Sequence, residues 1–218
     1  MNFLSPIVIA EEICLIVAFI FLIRDKSLFW KLNIVYLFIA LVAEGYGSHL
    51  SLQNLHNLKI FNTFILLEIA FISYGMYHCL KKYINPGPII FIGLGINYVT
   101  FLYFLANNYQ AYNDVFAFTT VNVFSVIFTI YALYFYYQVL KANEPIDLKN
   151  NAEFWWVSGV LFYYFGGTVV NVFNHYLNMR IVGRIPLRLI IYYITNFILY
   201  SNWIYSYICR MKQRKLSL

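Results

Sequence analysis

Several long apolar stretches of this sequence carry single acidic, amide or histidine side chains. An ionisable group at membrane depth costs free energy, so its position there makes it a candidate for function rather than for packing alone. Carboxylates, amides and imidazoles offer the hydrogen bonds and the charge that hold a small polar ligand. The candidate ligand-binding residues are Glu11, Glu44, His49, Glu68, Asn97, Asn122, Asn171, His175 and Asn196.

The acidic candidates are all expected near one face of the membrane. With a helical rise of ~1.5 Å per residue, Glu68 lies roughly 12 Å below the outer boundary, and Glu11 and Glu44 lie about 9 to 10 Å below it. A carboxylate that faces lipid costs roughly 2.5 to 3.5 kcal/mol on insertion scales, so we expect these groups to point into the protein. They either line a water-filled vestibule as ions or serve as neutral hydrogen-bond donors. In the alternative interpretation, the polar residues only hold the helices together.

Three arginines stand on the side of the membrane where basic residues are few. Arg180, Arg184 and Arg188 could pair with the acidic candidates and close the vestibule, since guanidinium groups bind carboxylates through two hydrogen bonds. They could instead bind an anionic ligand or a lipid headgroup, or belong to a solvated loop.

The sequence lacks the residue patterns of several catalytic and pigment-binding classes. The last apolar stretch has no lysine for a Schiff base, which argues against a retinal protein. No HExxH or HxxxH spacing supplies a zinc site, although His49, His175 and Glu44 could form one at the rim. Nucleophile elbows, phosphate-binding loops and cysteine pairs suited to redox work are also missing from the sequence. We therefore expect no enzymatic activity, no cofactor and no metal site.

The composition requires a membrane environment for the elements that carry these residues. Of the 218 residues, 62% are hydrophobic and 11% are charged, whereas about 25% are charged in an ordinary soluble domain. A globule of this size could not bury so much apolar surface. Soluble domains, disordered chains and nucleic-acid-binding domains are thereby excluded. The three cysteines are too few and too far apart for a secreted disulfide scaffold.

Seven apolar stretches are long enough to cross a bilayer as helices, which takes roughly 20 residues. The sequence therefore predicts an all-α integral membrane protein with seven transmembrane helices in a single domain, 1–218. We do not expect the first stretch to be a cleaved signal peptide, since no basic residue precedes it. The predicted spans are 5–23, 30–50, 60–80, 86–106, 114–140, 154–176 and 187–209.

Basic residues are distributed unequally between the two sides of these spans. Eleven lie in the loops and tail of one side and four lie on the other. The positive-inside rule then places the N-terminus outside and the C-terminus in the cytoplasm. We expect a multi-pass protein of the bacterial inner membrane, whose cytoplasmic basic residues contact anionic lipid.

Short similarities between the two halves of the chain point to an internal duplication. Phe29-Trp30 and Phe154-Trp155 open the second and sixth spans, and 62–67 resembles 195–200. Two parallel three-helix units joined by one linking helix would give a 3+1+3 layout, with units 1–84 and 114–218 and the linker 86–106. The alternative is that aromatic-rich helices resemble one another by composition.

The segments 154–167, 194–200 and 57–68 resemble the sixth, last and third spans of a known family. That family comprises the seven-helix membrane input modules of Bacteroidota-type sensor histidine kinases and their free-standing uncharacterised relatives. In such kinases a catalytic region follows the last helix, whereas this chain ends nine residues after Cys209. The resemblance thus implies a free-standing sensing or interaction module without autokinase activity.

Two functions fit these observations. In the first, the protein is a sensor-like or partner-binding module, in which an outward-facing polar pocket accepts a small polar ligand. Its cytoplasmic side then contacts a signalling partner in the cytoplasm or the membrane. In the second, the protein is a small-solute transporter or facilitator with the 3+1+3 layout, and Asn97 and Asn196 lie near the midplane. The lipid bilayer is a partner in both cases, and no nucleic acid is expected.

Overall fold

The computed structural model describes residues 6–109, 111–142, 147–179, 181–182 and 185–216, and the side chains of all of these except residues 174, 175 and 216. This part of the chain is helical apart from a small hairpin. Its α-helices are α1 (Pro6–Leu22), α2 (Leu28–Leu52), α3 (Leu58–Leu80), α4 (Gly87–Asn108), α5 (Phe118–Lys141), α6 (Ala152–Val172), α7 (Asn174–Met179) and α8 (Leu187–Leu216). A 3₁₀ turn, Leu148–Asn150, precedes α6, and strands β1 (Ile181–Val182) and β2 (Ile185–Pro186) pair antiparallel.

Four of the described helices, α2 to α5, are long and apolar enough to cross a membrane. They have 22 to 25 residues, which suits the ~20 residues that a bilayer requires. Large apolar side chains such as Phe38, Phe91 and Ile130 are more than half exposed on their surfaces. Lipid solvates such a surface, whereas water does not. The chain is therefore a helical membrane protein, as its composition predicts.

Six of the helices form a ring, and α4 lies outside it. The helices α1, α2, α3, α5, α6 and α8 each pack against the next in this order, and α8 packs in turn against α1. α4 packs against α3 and α5. The short helix α7 and strand β2 pack beside α8. Side chains from six helices consequently meet in the interior of the ring.

The two ends of the bundle differ in charge. One end holds the connections that follow α1, α3 and α5 and the last turns of α8, with Arg24, Lys81 and Arg210 among its basic residues. We call it the basic end. The opposite end holds the connections that follow α2, α4 and α6. We call it the cavity end, because the cavity described below lies toward it.

Aromatic side chains fill the ring toward the basic end. The indoles of Trp156 and Trp203 stack with their centroids 5.7 Å apart and their planes 4° apart. The buried amide of Asn33 fixes this arrangement, because its oxygen accepts hydrogen bonds from Trp156 Nε1 at 2.9 Å and from the Tyr207 hydroxyl at 3.2 Å. Buried polar groups that are fully bonded in this way hold a core in one arrangement. We call this region the aromatic layer; it comprises Phe29, Trp30, Asn33, Phe71, Trp156, Trp203 and Tyr207.

The aromatic layer leaves no space for an added methyl group at Gly75. A Cβ at this position would overlap the six-membered ring of Trp156 and approach Phe29 to 3.0 Å. Trp156 is fully buried and hydrogen-bonded, so it cannot move away at little cost. Glycine at position 75 therefore lets α3 approach the indole closely.

The start of α5 is set by a side chain of another helix. The sequence predicts the fifth span from residue 114, whereas α5 begins at Phe118. Asn62 of α3 organises the intervening turn, because its amide nitrogen donates to the carbonyls of Tyr112 and Val115 at 3.0 and 2.9 Å. Its amide oxygen accepts from the N–H of Ala117 at 3.1 Å. The turn is thus closed by hydrogen bonds that the local sequence does not show.

The last two long helices also differ from their predicted bounds. α6 ends at Val172 rather than at residue 176, and after a turn at Phe173 the chain continues into α7. α8 extends to Leu216, seven residues beyond the predicted end at 209. Its 30 residues span about 45 Å at ~1.5 Å per residue. α8 is thus longer than the ~30 Å hydrocarbon core of a bilayer.

Candidate functional site

A cavity of about 490 Å³ lies inside the six-helix ring, on the side of the aromatic layer that faces the cavity end. Its volume falls within the ~300–1,000 Å³ of typical small-molecule sites. All six ring helices contribute to its wall, whereas no described residue of α4 does. Five of the predicted ligand-binding residues line it: Glu11, Glu44, Glu68, Asn171 and Asn196.

Glu11 is a buried acid on the cavity wall. α1 buries side chains at a spacing of three and four residues, namely Ile7, Glu11, Cys14 and Ala18, and Glu11 belongs to this inward stripe. Its side chain is 1% exposed, and neither carboxylate oxygen has a hydrogen-bond partner among the described residues. A buried carboxylate without compensation is unfavourable. A group that donates a hydrogen bond or brings a positive charge to Glu11 would therefore be stabilising.

Glu68 and Glu44 reach the same cavity from neighbouring helices. The Tyr164 hydroxyl donates to Glu68 Oε1 at 2.7 Å, and the Tyr164 ring is held edge-on by Phe124 and Phe128, at centroid distances of 5.6 and 5.1 Å. Glu44 is half-buried near the end of α2. No salt bridge joins any of the three acids to a residue that the structure describes. The cavity thus carries three acidic groups without a described counter-ion.

The amide of Asn196 offers one more acceptor on the wall. Asn196 is 3% exposed, and its Nδ2 donates to the carbonyl of Tyr192, one turn earlier in α8, at 2.8 Å. This bond orients the amide of Asn196 on the cavity wall. Asn171 lies near the end of α6 and lines the cavity there. Hydrogen-bonding groups thus stand on α6 and α8 as well as on the acidic helices.

Ten of the other 21 lining residues are aromatic, which sequence reasoning did not predict. The abundance of tyrosine and phenylalanine indicates membrane interfaces and helix packing equally well, so the sequence alone does not single out wall residues. The aromatic residues that line the cavity are Tyr36, Phe61, Phe64, Phe116, Phe124, Tyr163, Tyr164, Tyr192, Tyr200 and Trp203.

The aromatic layer closes the cavity toward the basic end. Trp203 belongs to both, since it lines the cavity and its ring stacks on Trp156. Tyr36 stacks on Phe71 at 4.1 Å on the same side. Beyond them the interior is packed with buried residues such as Trp30 and Tyr207. The cavity is therefore confined to the half of the ring that faces the cavity end.

Three of the predicted ligand-binding residues lie away from the cavity wall. His49 is exposed and its Nε2 lies 3.1 Å from Gln53 Nε2, one turn later in α2. Asn97 is fully buried on α4, outside the ring, and neither of its amide atoms has a described partner. Asn122 lies between the wall residues Val121 and Phe124 of α5 but is not among them. The side chain of His175 lies outside the described residues.

The cavity has neither a cationic wall nor a metal-binding cluster in the part of the chain that the structure describes. No lysine, arginine or histidine is among its described lining residues. Within the described residues, no three His, Cys, Asp or Glu side chains are close enough to hold a metal ion. Arg188 lies in the first turn of α8, and Arg180 and Arg184 fall outside the described residues, so their pairing with the acids stays a hypothesis.

Buried acids at the basic end, unlike those at the cavity, are paired with cations. Arg210 donates from Nε and Nη2 to the two oxygens of Asp25 at 2.8 and 3.1 Å, and the N–H of Ser27 donates to Asp25 at 2.8 Å. Burial alone would raise the pKa of Asp25, but these hydrogen bonds and the charge of Arg210 hold its pKa below the ordinary value. The Arg210 guanidinium also lies 5.6 Å from the centroid of the Trp30 ring.

A second pair links α6 to the turn after α3. Lys82 Nζ lies 2.5 Å from Glu153 Oε1, and the Glu153 side chain is 2% exposed. Sequence reasoning assigned the cations at this end to a lipid-facing collar, and it did not identify Asp25, Asn33 or Glu153. The available signal was a single acid between basic residues, as in Arg24-Asp25-Lys26. These ion pairs and hydrogen bonds stabilise the basic end of the bundle.

Comparison of the chain with protein-family models, with curated proteins and with solved structures finds no match.

Proposed function

We propose that this chain is a seven-pass, sensor-like protein of a bacterial inner membrane, which receives a small ligand in a cavity that faces away from the cytoplasm. Besides α2 to α5, the spans would be α1, α6 and α8, with 17, 21 and 30 residues. The basic end would lie in the cytoplasm by the positive-inside rule. The N-terminus would then lie outside, on the same side as the cavity.

One observation carries the proposal: a cavity with three acids on its wall that is closed on one side. Glu11, Glu44 and Glu68 lie on its wall, and the Trp156–Trp203 stack closes it toward the basic end. A cavity of this form binds a molecule without offering it a path through the bundle. Binding without passage is what a receptor needs, and it favours the sensor-like function over transport.

The basic end would provide the surface for a signalling partner. Lys212 and Lys215 are exposed on the last turns of α8, beyond the Arg210–Asp25 pair. α8 carries cavity residues and these lysines on one continuous helix. In line with the resemblance to kinase input modules, we propose that a separate cytoplasmic or membrane signalling protein contacts this end.

Cysteine labelling tests the location of the cavity. The native Cys14, Cys79 and Cys209 are fully buried, so they should give little background. In intact cells, a membrane-impermeant maleimide should label Asn171→Cys at the cavity wall, whereas Lys141→Cys at the basic end should react only after permeabilisation. Labelling of Lys141→Cys from outside, or no labelling of Asn171→Cys, would contradict the proposal.

The transporter function is the second candidate, and the order of the helices in the ring favours it. A two-fold rotation that takes α1, α2 and α3 onto α5, α6 and α8 preserves the neighbours around the ring, and α4 stands outside as a linker would. In proteoliposomes, a transporter would accumulate small polar solutes, and Glu68→Gln or Asn196→Ala would abolish this uptake. The sensor-like proposal expects no uptake with either the wild type or the variants.

A further inference from the structure

We propose that the ligand of the cavity is an organic cation, an amine or quaternary ammonium with an apolar body, whose charge is balanced by Glu11. This inference rests on the proposed binding function and specifies its ligand class. It follows from the charge of the wall, from the spacing of the acids and from the chemistry of the rings around them.

The negative charge of the wall favours a ligand with a positive charge. Glu11 is 1% exposed and both of its oxygens are unpartnered among the described residues, although it lines a cavity large enough for a ligand. No described lining residue carries a positive charge. A buried carboxylate is stabilised by an opposite charge placed against it. A ligand that brings this charge satisfies Glu11, whereas an anionic ligand would add repulsion.

The spacing of the acids selects an organic cation over a metal ion. A calcium or magnesium ion needs several oxygens within about 2.0 to 2.6 Å. The described residues include no acidic cluster that could converge in this way, although Glu11, Glu44 and Glu68 share one cavity. The acids stand on three helices around a volume of about 490 Å³. A molecule with several non-hydrogen atoms fills such a volume, and a bare ion does not.

The aromatic wall suits the body of an organic cation. Tyr36, Tyr200 and Trp203 line the cavity together with Glu11. Aromatic faces attract a cation within ~6 Å of the ring centroid, and cages of such rings bind quaternary ammonium groups. The same rings bury apolar ligand atoms away from water. Glu11 thus supplies the charge, and the rings supply contact area that a strongly hydrated ion would not use.

The other two acids extend the site beyond Glu11. Tyr164 already occupies one oxygen of Glu68, so the second oxygen is left to accept a hydrogen bond from an ammonium N–H. Glu44 is half-buried toward the cavity end and would attract the cation as it enters. Glu11 is therefore the residue on which affinity should depend most.

Titration calorimetry on the full chain in lipid nanodiscs tests the inference with three probes of similar size. Benzyltrimethylammonium is the cation, N,N-dimethylbenzamide is neutral and phenylmethanesulfonate is the anion. The cation should bind at least roughly tenfold more tightly than either of the others. Glu11→Gln should weaken cation binding by roughly tenfold or more, and Glu11→Asp, which keeps the charge, should restore part of it.

Glu12→Gln is the matched control, since Glu12 is the next acid on α1 and does not line the cavity. It should change the cation affinity by less than about twofold. Equal binding of the neutral or anionic probe, undiminished cation binding by a folded Glu11→Gln protein, or no cation binding by the wild type would overturn the inference. The labelling of Asn171→Cys is independent of these probes, so it shows separately whether the proposed cavity itself is wrong.

Discussion

Asp25 and Glu11 are both acids with 1% exposure, but they lie at opposite ends of the bundle and have different surroundings. Asp25 accepts two hydrogen bonds from Arg210 and one from a backbone N–H. Glu11 faces a cavity and has no described partner. The ion pair described at the cavity end, His56 with Asp114, is exposed and lies outside the cavity. Two acids of equal burial thus differ, because Asp25 is paired with a cation and Glu11 keeps two acceptor oxygens without a described partner.

Loss of one charged side chain should change the free energy of unfolding in opposite directions at the two ends of the bundle. Arg210→Met leaves Asp25 buried without its cation, which should lower the free energy of unfolding by about 3 kcal/mol. Thermal unfolding in detergent measures the change. Lys212→Met is the control, because Lys212 is exposed two residues further along α8, and it should have little effect. An unchanged stability of Arg210→Met would show that the pair does not hold the basic end.

The packing of the aromatic layer is tested by a single methyl group. Gly75→Ala would press a Cβ against Trp156, and overpacking of this kind costs about 1 to 3 kcal/mol. Gly95→Ala on α4 is the matched variant, since nothing lies within 4 Å of an added Cβ there. The melting temperature should fall for Gly75→Ala alone. Similar values for both variants would mean that the layer yields easily and closes the cavity less firmly than its geometry indicates.

At the cavity end, removing the acid should stabilise the unliganded protein. Glu11→Met replaces an unpartnered buried carboxylate with an apolar side chain of similar size, which should raise the free energy of unfolding by about 1 kcal/mol. Glu12→Met should change it by less than about 0.5 kcal/mol. Chemical denaturation in the absence of added ligand provides the measurement. Destabilisation by Glu11→Met would indicate that Glu11 has a structural partner instead.

The smallest expected effect is a pH dependence that belongs to the basic end. The pKa of Asp25 is lowered in the folded protein, so its contribution is fully present above the unfolded pKa of about 4 and is lost as pH falls through the folded pKa. Melting temperatures of the wild type and of Asp25→Asn, measured from neutral pH downwards, should differ most near neutrality and converge below about pH 4. A constant difference at all pH values would contradict this assignment.

The fold class could be predicted from composition, but the arrangement of the helices could not. The apolar stretches located the helices to within a few residues at most ends. The displaced start of α5 depends on Asn62. Its side-chain oxygen accepts a hydrogen bond from the N–H of Ala117, which lies 55 residues later in the chain. A local pattern does not contain such a contact. The count of seven spans, the orientation and the duplication stay predictions.

The candidate site could be predicted in part, because acids in apolar helices tend to face inward. Glu11, Glu44 and Glu68 do line one cavity. The helices are apolar on all sides, so their sequences do not show which face points to the ring. For the same reason Asn97 was grouped with the site, although α4 lies outside the ring. Whether any of these residues binds a ligand stays a prediction.

The length of α8 has a mechanical consequence. Asn196 lines the cavity and Arg214 lies 18 residues later on the same uninterrupted helix, about 27 Å away at ~1.5 Å per residue. Sharp kinks in helices occur at identifiable breaks such as proline or a π-bulge, and α8 contains no proline or glycine. A tilt or axial shift imposed on α8 at the cavity would therefore be carried toward its charged tip, past the Arg210–Asp25 pair that ties α8 to the turn after α1.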